Sequence, residues 1–406
     1  VSGKDGIHSE NADDSSKGYV YIAGGEFTVD STGDGIDASN IVQIDDGTFD
    51  ITAGGGVENS TKTHEDNIVG GPGGGNGPQM GEAPSEKPSG EAPQGDPGNN
   101  SSENSGSSDI ATPPEKPSEE ASSGNPPQGG PGEDSENNSA DNSSDRETPP
   151  EKPDSNTNQA AGTEQSESDT SDSDSASTKG IKADGRLYIN GGTFTINSAD
   201  DSVHSNSAVT INDGAYTLTT GDDGVHSGEA VEINGGTITI SESYEGLEGL
   251  TVTINDGDID ITSSDDGINA AGGTEEMGFG RMGNDRTENT STDEMWMEIN
   301  GGYIHVLAGG DGIDSNGDIT VNGGEVYIDG PSDNGNSAID YGDRSACYVN
   351  GGTVVAIGSS GMAEDISDDS DQQVMLVKLD SQKEAGEVTL TDSDGNEIIT
   401  YTALKA

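Results

Sequence analysis

Apolar and polar residues alternate in short runs along this chain, and the runs return at a fixed interval. After Ile22-Ala23-Gly24-Gly25 come Phe27 and Val29, and after Ile44-Asp45-Asp46-Gly47 come Phe49 and Ile51. Further copies begin at Ile189, Ile211, Ile233, Ile254, Ile299, Val321 and Val349, spaced by 21 or 22 residues except across insertions. Within each copy, pairs such as Phe194/Ile196, Tyr216/Leu218 and Ile238/Ile240 alternate with polar residues. A period of two with one apolar face predicts a half-buried strand.

A second marker, acidic-Gly-apolar-polar-small or close to it, recurs in step with the first. It reads Asp34-Gly35-Ile36-Asp37-Ala38, then Asp201-Ser202-Val203-His204-Ser205, Asp223-Gly224-Val225-His226-Ser227 and Glu245-Gly246-Leu247-Glu248-Gly249. It continues as Asp266-Gly267-Ile268-Asn269-Ala270 and Asp311-Gly312-Ile313-Asp314-Ser315. A fixed period of this length marks a solenoid whose repeats stack as coils. Each circuit of ~22 residues then holds about three short strands joined by turns. Equivalent strands stacked in parallel place identical positions about 4.8 Å apart, so nine coils make a rod of about 40 Å. The expected fold is all-β: a right-handed parallel β-helix, with its handedness taken from the usual crossover rule.

Residues 54–178 break the period. From Gly70 to Thr178 only Met80 and Ile110 are apolar residues larger than alanine, and 15 of the 16 prolines lie in this stretch. Such a segment cannot offset its ordering entropy by burial, which predicts a disordered acidic insertion looped out of one turn. The expected organisation is therefore first coils over 1–53, the insertion over 54–178, the main β-helix over 179–357 and a small β cap over 358–406. Within the main helix a shorter insertion runs from Gly272 to Glu294. Strands of the cap are expected over Val374–Leu379, Glu387–Leu390 and Ile398–Thr400, around an Asp392–Gly395 turn, shielding the last coil.

Charge narrows the function. The chain has 78 acidic and 16 basic residues and a formal charge of −62. That argues against nucleic acid and anionic membranes and favours divalent cations, or a partner reached through them. No apolar run reaches the roughly 18 residues of a membrane helix. A single cysteine, Cys347, excludes a disulfide framework and a cysteine metal site. The chain opens in mid-motif at Lys4-Asp5-Gly6-Ile7-His8-Ser9, which reads as a fragment of a longer protein.

Stacking the second marker produces two columns. Two residues before the shared apolar position stand Asp5, Asp34, Lys179, Asp201, Asp223, Glu245, Asp266, Asp311 and Ser337; one residue after it stand His8, Asp37, Lys182, His204, His226, Glu248, Asn269, Asp314 and Asp340. Carboxylates about 5 Å apart repel by roughly 1 to 3 kcal/mol per pair for effective dielectrics between 80 and 20. From the coil of Asp201 to that of Asp311 nothing basic nearby relieves this. A hard cation such as Ca2+ would, through six to eight oxygen ligands. The candidate ligands are Asp34, Asp37, Asp200, Asp201, Asp222, Asp223, Glu245, Glu248, Asp265, Asp266, Asp311 and Asp314. Asp before Gly also caps its own turn in any such solenoid, although doubled acids exceed what a turn needs. Histidine is a poor calcium ligand, so His204 and His226 are candidate contact residues for a ligand, with Lys182 and Trp296 beside them.

Lys179-Gly180-Ile181-Lys182-Ala183, Ile189-Asn190-Gly191-Gly192-Thr193-Phe194, Ser243-Tyr244-Glu245-Gly246-Leu247-Glu248-Gly249 and the acidic motifs above carry a resemblance. They resemble the bacterial "carbohydrate-binding domain-containing" family of surface parallel β-helix proteins, similar in fold to pectate lyases. The resemblance implies Ca2+ among the coil acids, binding of acidic, pectin-like plant polysaccharide, and an extracellular or cell-surface location. A polyanion is compatible with a charge of −62 only where bound calcium bridges the two sets of carboxylates. The expected function is thus non-catalytic, calcium-dependent polysaccharide binding. Two alternatives stand beside it: a polysaccharide lyase with Lys182 as base, near Lys179 and Arg186, and a structural surface rod or adhesin stiffened by calcium.

Overall fold

The computed structural model describes residues 4–11, 14, 17–62, 177–270, 295–332, 334–342 and 344–405. Three sheets of nine parallel strands each run the length of the coils, in strict coil order. The first sheet collects the second marker, from Ile7–Ser9 through Val203–Ser205 to Ile339–Tyr341; the second runs from Tyr19–Ile22 to Cys347–Val349, and the third from Glu26–Ser31 to Thr353–Ile357. This is the stacked β-helix expected from the period.

The apolar positions explain the register. Ile36 pairs with Ile181, Ile181 with Val203, Val203 with Val225, Val225 with Leu247 and Leu247 with Ile268, all of them buried. Each such side chain, removed from water, contributes about 1.5 to 3 kcal/mol. A slip of one residue would turn every one of them outward. In the third sheet Phe27, Phe49, Phe194 and Tyr216 stack one per coil, with centroids 4.7–4.9 Å apart. Ile36 and Ile181, and Phe49 and Phe194, are adjacent rungs, so the coils on either side of the long insertion stack directly on each other.

Turn chemistry holds the coils in line. Gly214 adopts φ 127°, a conformation closed to most L side chains, and its N–H bonds the Asp213 carboxylate at 2.7 Å. Gly224 is required by crowding: a Cβ there would lie 2.6 Å from the Gly246 carbonyl. Beside the first of these turns runs an asparagine ladder. Asn190, Asn212, Asn234, Asn255, Asn300, Asn322 and Asn350 each donate from Nδ2 to the residue one coil below, starting on Asp45, at 2.7–3.0 Å.

The ends differ in detail from expectation. Residues 54–62, grouped by composition with the insertion, remain on the rod: Val57–Asn59 forms a 3-10 turn, Val57 N–H donates to Asn197 and Ser60 Oγ to the Gly221 carbonyl. The disorder expected of the insertion concerns 63–176, which lie outside the described residues, as does 271–294. At the other end Gly386–Thr391 and Glu397–Ala403 form the expected antiparallel hairpin. Val374–Leu379 carries no strand, and Val374, Met375, Leu376, Val377 and Leu379 are exposed. The last coil is covered instead by the preceding segment, where Ile366 packs on the core and Ser367 N–H bonds the Cys347 carbonyl. The hairpin docks sideways through Tyr401, whose hydroxyl donates to Asp329 at 2.5 Å and whose ring stacks on Tyr327.

Candidate functional site

The two columns expected from the sequence stand along the first sheet. His8, Asp37, Lys182, His204, His226, Glu248, Asn269, Asp314 and Asp340 are successive in-register partners. The acids two residues before the apolar position do more than shape their own turns. Asp5 accepts the Asp34 N–H, Asp34 that of Lys179, Asp201 that of Asp223, Asp223 that of Glu245, Asp266 that of Asp311, and Asp311 that of Ser337. Each carboxylate therefore bonds the backbone of the coil above with one oxygen. Turn capping is left to Asp46, Asp213 and Asp256, at the turn between the second and third sheets.

The expectation that no base relieves the lower acids is corrected by the structure. Lys179 Nζ lies 2.9 Å from Asp201 and 3.0 Å from Asp200. Lys62 reaches in from the start of the insertion, 2.8 Å from Asp222 and 3.3 Å from Asp200. Burial works against Asp201, yet Lys179 and His204 hold its carboxyl well below the usual range. Burial and the Asp201 charge push Asp222 up to about 7, even with Lys62 beside it.

The histidines divide in the same way. His204 and His226 stack with centroids 4.8 Å apart and planes 9° from parallel. Burial and the Lys179 charge lower His204, whose Nδ1 lies 2.7 Å from Asp201 and Nε2 2.8 Å from Asn206 Oδ1. His226 Nδ1 lies 3.1 Å from Asp223 and 2.5 Å from Glu248. Although burial opposes it, those two carboxylates raise His226 to about 12. Both rings are buried, so they support the column more than they present a face to a large ligand.

Above His226 the balance changes. Glu245, Asp266 and Asp314 have no lysine or arginine in ion-pair distance among the described residues. Burial, followed by the charge of neighbouring carboxylates, raises Glu245 and Asp266 well above the ordinary range and Asp314 to about 8. Between them sits Asn269, which donates to both Glu245 oxygens while its own Oδ1 is buried without a hydrogen-bond partner among the described residues. An orphaned oxygen of this kind costs about 1–3 kcal/mol.

The remaining candidates are not gathered at one point. Lys182 lies one rung below His204, partly exposed, 4.0 Å from Asp34 and 3.8 Å from Asp184. Trp296 stands on the second sheet, paired with Thr251 and Asp318 and 36% exposed, away from the histidines. Asp34 and Asp37 are buried near the lower end, and Asp265 lies beside Asp266. Sequence reasoning missed Lys62, a lone base in an aperiodic stretch, and counted Asn269 in the column without naming it a ligand. It also missed a shallow groove of about 740 Å³ along the glycine turns, bordered by Tyr303, Asp258 and Glu325. That groove's lining carries acids and no base.

Residues 1–76 and 138–224 match the model of a family described as carbohydrate-binding domain-containing protein. The match takes in the columns from Asp5 to Asp223 and stops short of Glu245. No curated protein and no solved structure matches the chain.

Proposed function

We propose that this protein binds acidic, pectin-like polysaccharide without cleaving it, at the cell surface or outside the cell, through Ca2+ held by the upper acidic column. The observation that carries the reading is the run of Glu245, Asp266 and Asp314 around the orphaned Asn269 oxygen. Carboxylate and amide oxygens stacked on successive coils would close on a hard cation, which takes six to eight oxygen ligands. Glu248, Asp265 and Asp311 lie on the same coils and complete the candidate set. The lower acids Asp200, Asp201 and Asp222 already face ammonium groups, so an ion is better accommodated above them. Calcium on this partly buried edge would keep positions for uronate carboxylates on its outer side, and its charge would dominate the local field.

The family match supports carbohydrate as the ligand class. A lyase is less well supported: Lys182 stands beside Asp34 and Asp184, and Lys179 is enclosed by Asp200 and Asp201. The test is calorimetric titration of polygalacturonate into metal-stripped protein, with and without millimolar calcium, following absorbance at 235 nm. Heat only with calcium, at constant absorbance, is the expected result. Rising absorbance would establish a lyase, and no heat in either condition would leave a calcium-stiffened rod.

A further inference from the structure

Three times in the first sheet an acid precedes a histidine by three residues: Asp5/His8, Asp201/His204 and Asp223/His226. In each case the partner of the histidine one coil on can also bind a metal: Asp37, His226 and Glu248 in turn. The ligand atoms of each triplet lie within 4.8 Å of one another. In the second triplet Lys179 already contacts Asp201, and in the third a buried His226 closes on both carboxylates.

The lowest triplet is different. His8 Nδ1 lies 2.7 Å from Asp37 Oδ2 and 3.6 Å from Asp5 Oδ2, and its Nε2 is 3.5 Å from Glu10. The second oxygen of Asp37, Oδ1, is buried with no hydrogen-bond partner among the described residues, in a residue only 9% exposed. Lys182, one coil above Asp37, faces the same carboxylate and relieves its charge at a distance. It does not supply the missing hydrogen bond. The His8 side chain is 39% exposed, which provides an entry path and an open side for water.

We propose that Asp5, His8 and Asp37 form a site for a borderline divalent cation of the Zn2+ class, separate from the oxygen-only calcium column. The imidazole selects the metal class, because calcium avoids nitrogen whereas zinc takes His nitrogen and carboxylate oxygen at about 2.0–2.2 Å. Ligands around such an ion stand roughly 3.3–3.5 Å apart, so the His8–Asp37 pair opens by less than about 1 Å and Asp5 is already in place. Asp37 would contribute both oxygens, which accounts for the orphaned one. Glu10 holds the Nε2–H, leaving Nδ1 for the metal, as outer carboxylates do at histidine sites. The ion would staple Ile7–Ser9, an end strand with a single neighbour, to Ile36–Ala38. Neither the calcium nor the carbohydrate proposal is needed for this site.

The experiment uses the full chain without a histidine tag, stripped with chelator and kept in excess calcium throughout. Zinc is titrated by calorimetry, and bound ions are counted by native mass spectrometry. The expected result is one zinc per chain that survives excess calcium, lost or weakened at least tenfold in His8→Ala and Asp5→Asn. His226→Ala should retain that zinc. His8→Ala also removes the hydrogen bond to buried Asp37, so its unfolding temperature should fall without zinc, and the readout is the further loss of the rise that zinc confers. Asp5→Asn, which keeps an oxygen for the Asp34 N–H, should lose that rise with a smaller fall. Unchanged stoichiometry and affinity in both lower-site variants would overturn the proposal, as would release of the zinc by calcium.

Discussion

The ammonium of Lys62 lies 2.8 Å from a carboxylate oxygen of Asp222, although the long insertion follows Lys62 in sequence. Burial alone would lower the Lys62 value; Asp200 and Asp222 outweigh it and raise the value above that of an ordinary lysine. Lys62→Gln leaves those two acids facing each other. The side chain is 29% exposed, so the cost should fall below that of a fully buried pair, at about 1–2 kcal/mol. Urea unfolding at neutral pH measures it, and an unchanged midpoint would show that the contact has no energetic weight.

Stability should depend on pH in the direction opposite to ordinary acid denaturation. Asp222 at about 7 and Asp314 at about 8 are acids raised above their unfolded value near 3.9. Between those limits the native state binds more protons than the unfolded chain, so stability falls as pH rises from about 4 to 8. His226 at about 12 and His305 at about 9 add to this. Their contribution is complete below 6.5 and is lost as pH rises through the folded values. Thermal unfolding of calcium-free protein should therefore show a higher midpoint at pH 5 than at pH 8. A flat or rising profile would contradict the burial of these groups.

Asp314→Asn should have opposite effects with and without calcium. In metal-free protein it removes the cost of burying this carboxyl, which is either protonated against its ordinary value or, above about pH 8, ionised beside Asp311 and Asp340, raising stability by about 1 kcal/mol or more. With calcium present it removes a ligand of the proposed site, so the rise in unfolding temperature on adding calcium should shrink or vanish. Differential scanning calorimetry in chelator and in millimolar calcium reads both signs. Loss of stability in both conditions would remove Asp314 from the proposed calcium site.

Asn234 donates to Asn212 at 3.0 Å and accepts from Asn255 at 2.8 Å. Asn234→Ala breaks both bonds and should cost roughly 1–3 kcal/mol. Repeat proteins couple mainly to nearest neighbours, so the lost hydrogen-exchange protection should centre on the coils of Asn212 and Asn255. Uniform loss along the rod would mean that the ladder acts globally.

Much of the architecture was legible because stacking equivalent coils turns sequence period directly into register. The residues aligned on Ile7, Ile36 and Ile181 are the partners found in space, even across the insertion. The cap was less legible. The apolar run Val374–Leu379 satisfies a strand pattern, but no strand among the described residues pairs with it, and pattern alone does not supply one. The asparagine ladder was hidden in Ile-Asn-Gly-Gly turns, where Asn is already explained by turn propensity.

What the sequence by itself determined is the repeat, the three-strand coil, the apolar core and the two columns of chemistry along one edge. These follow from local periodicity, since each coil contacts only its neighbours. What only the tertiary structure decided is the charge state of those columns. Lys62 and Lys179 pair with Asp200, Asp201 and Asp222, His226 serves Asp223 and Glu248, and Glu245, Asp266 and Asp314 have no lysine or arginine in ion-pair distance among the described residues. The reason is physical: hydrophobic register depends on a regular pattern, whereas a buried carboxylate responds to whichever cation arrives within a few ångströms. For Lys62 that approach comes from a stretch with no pattern at all.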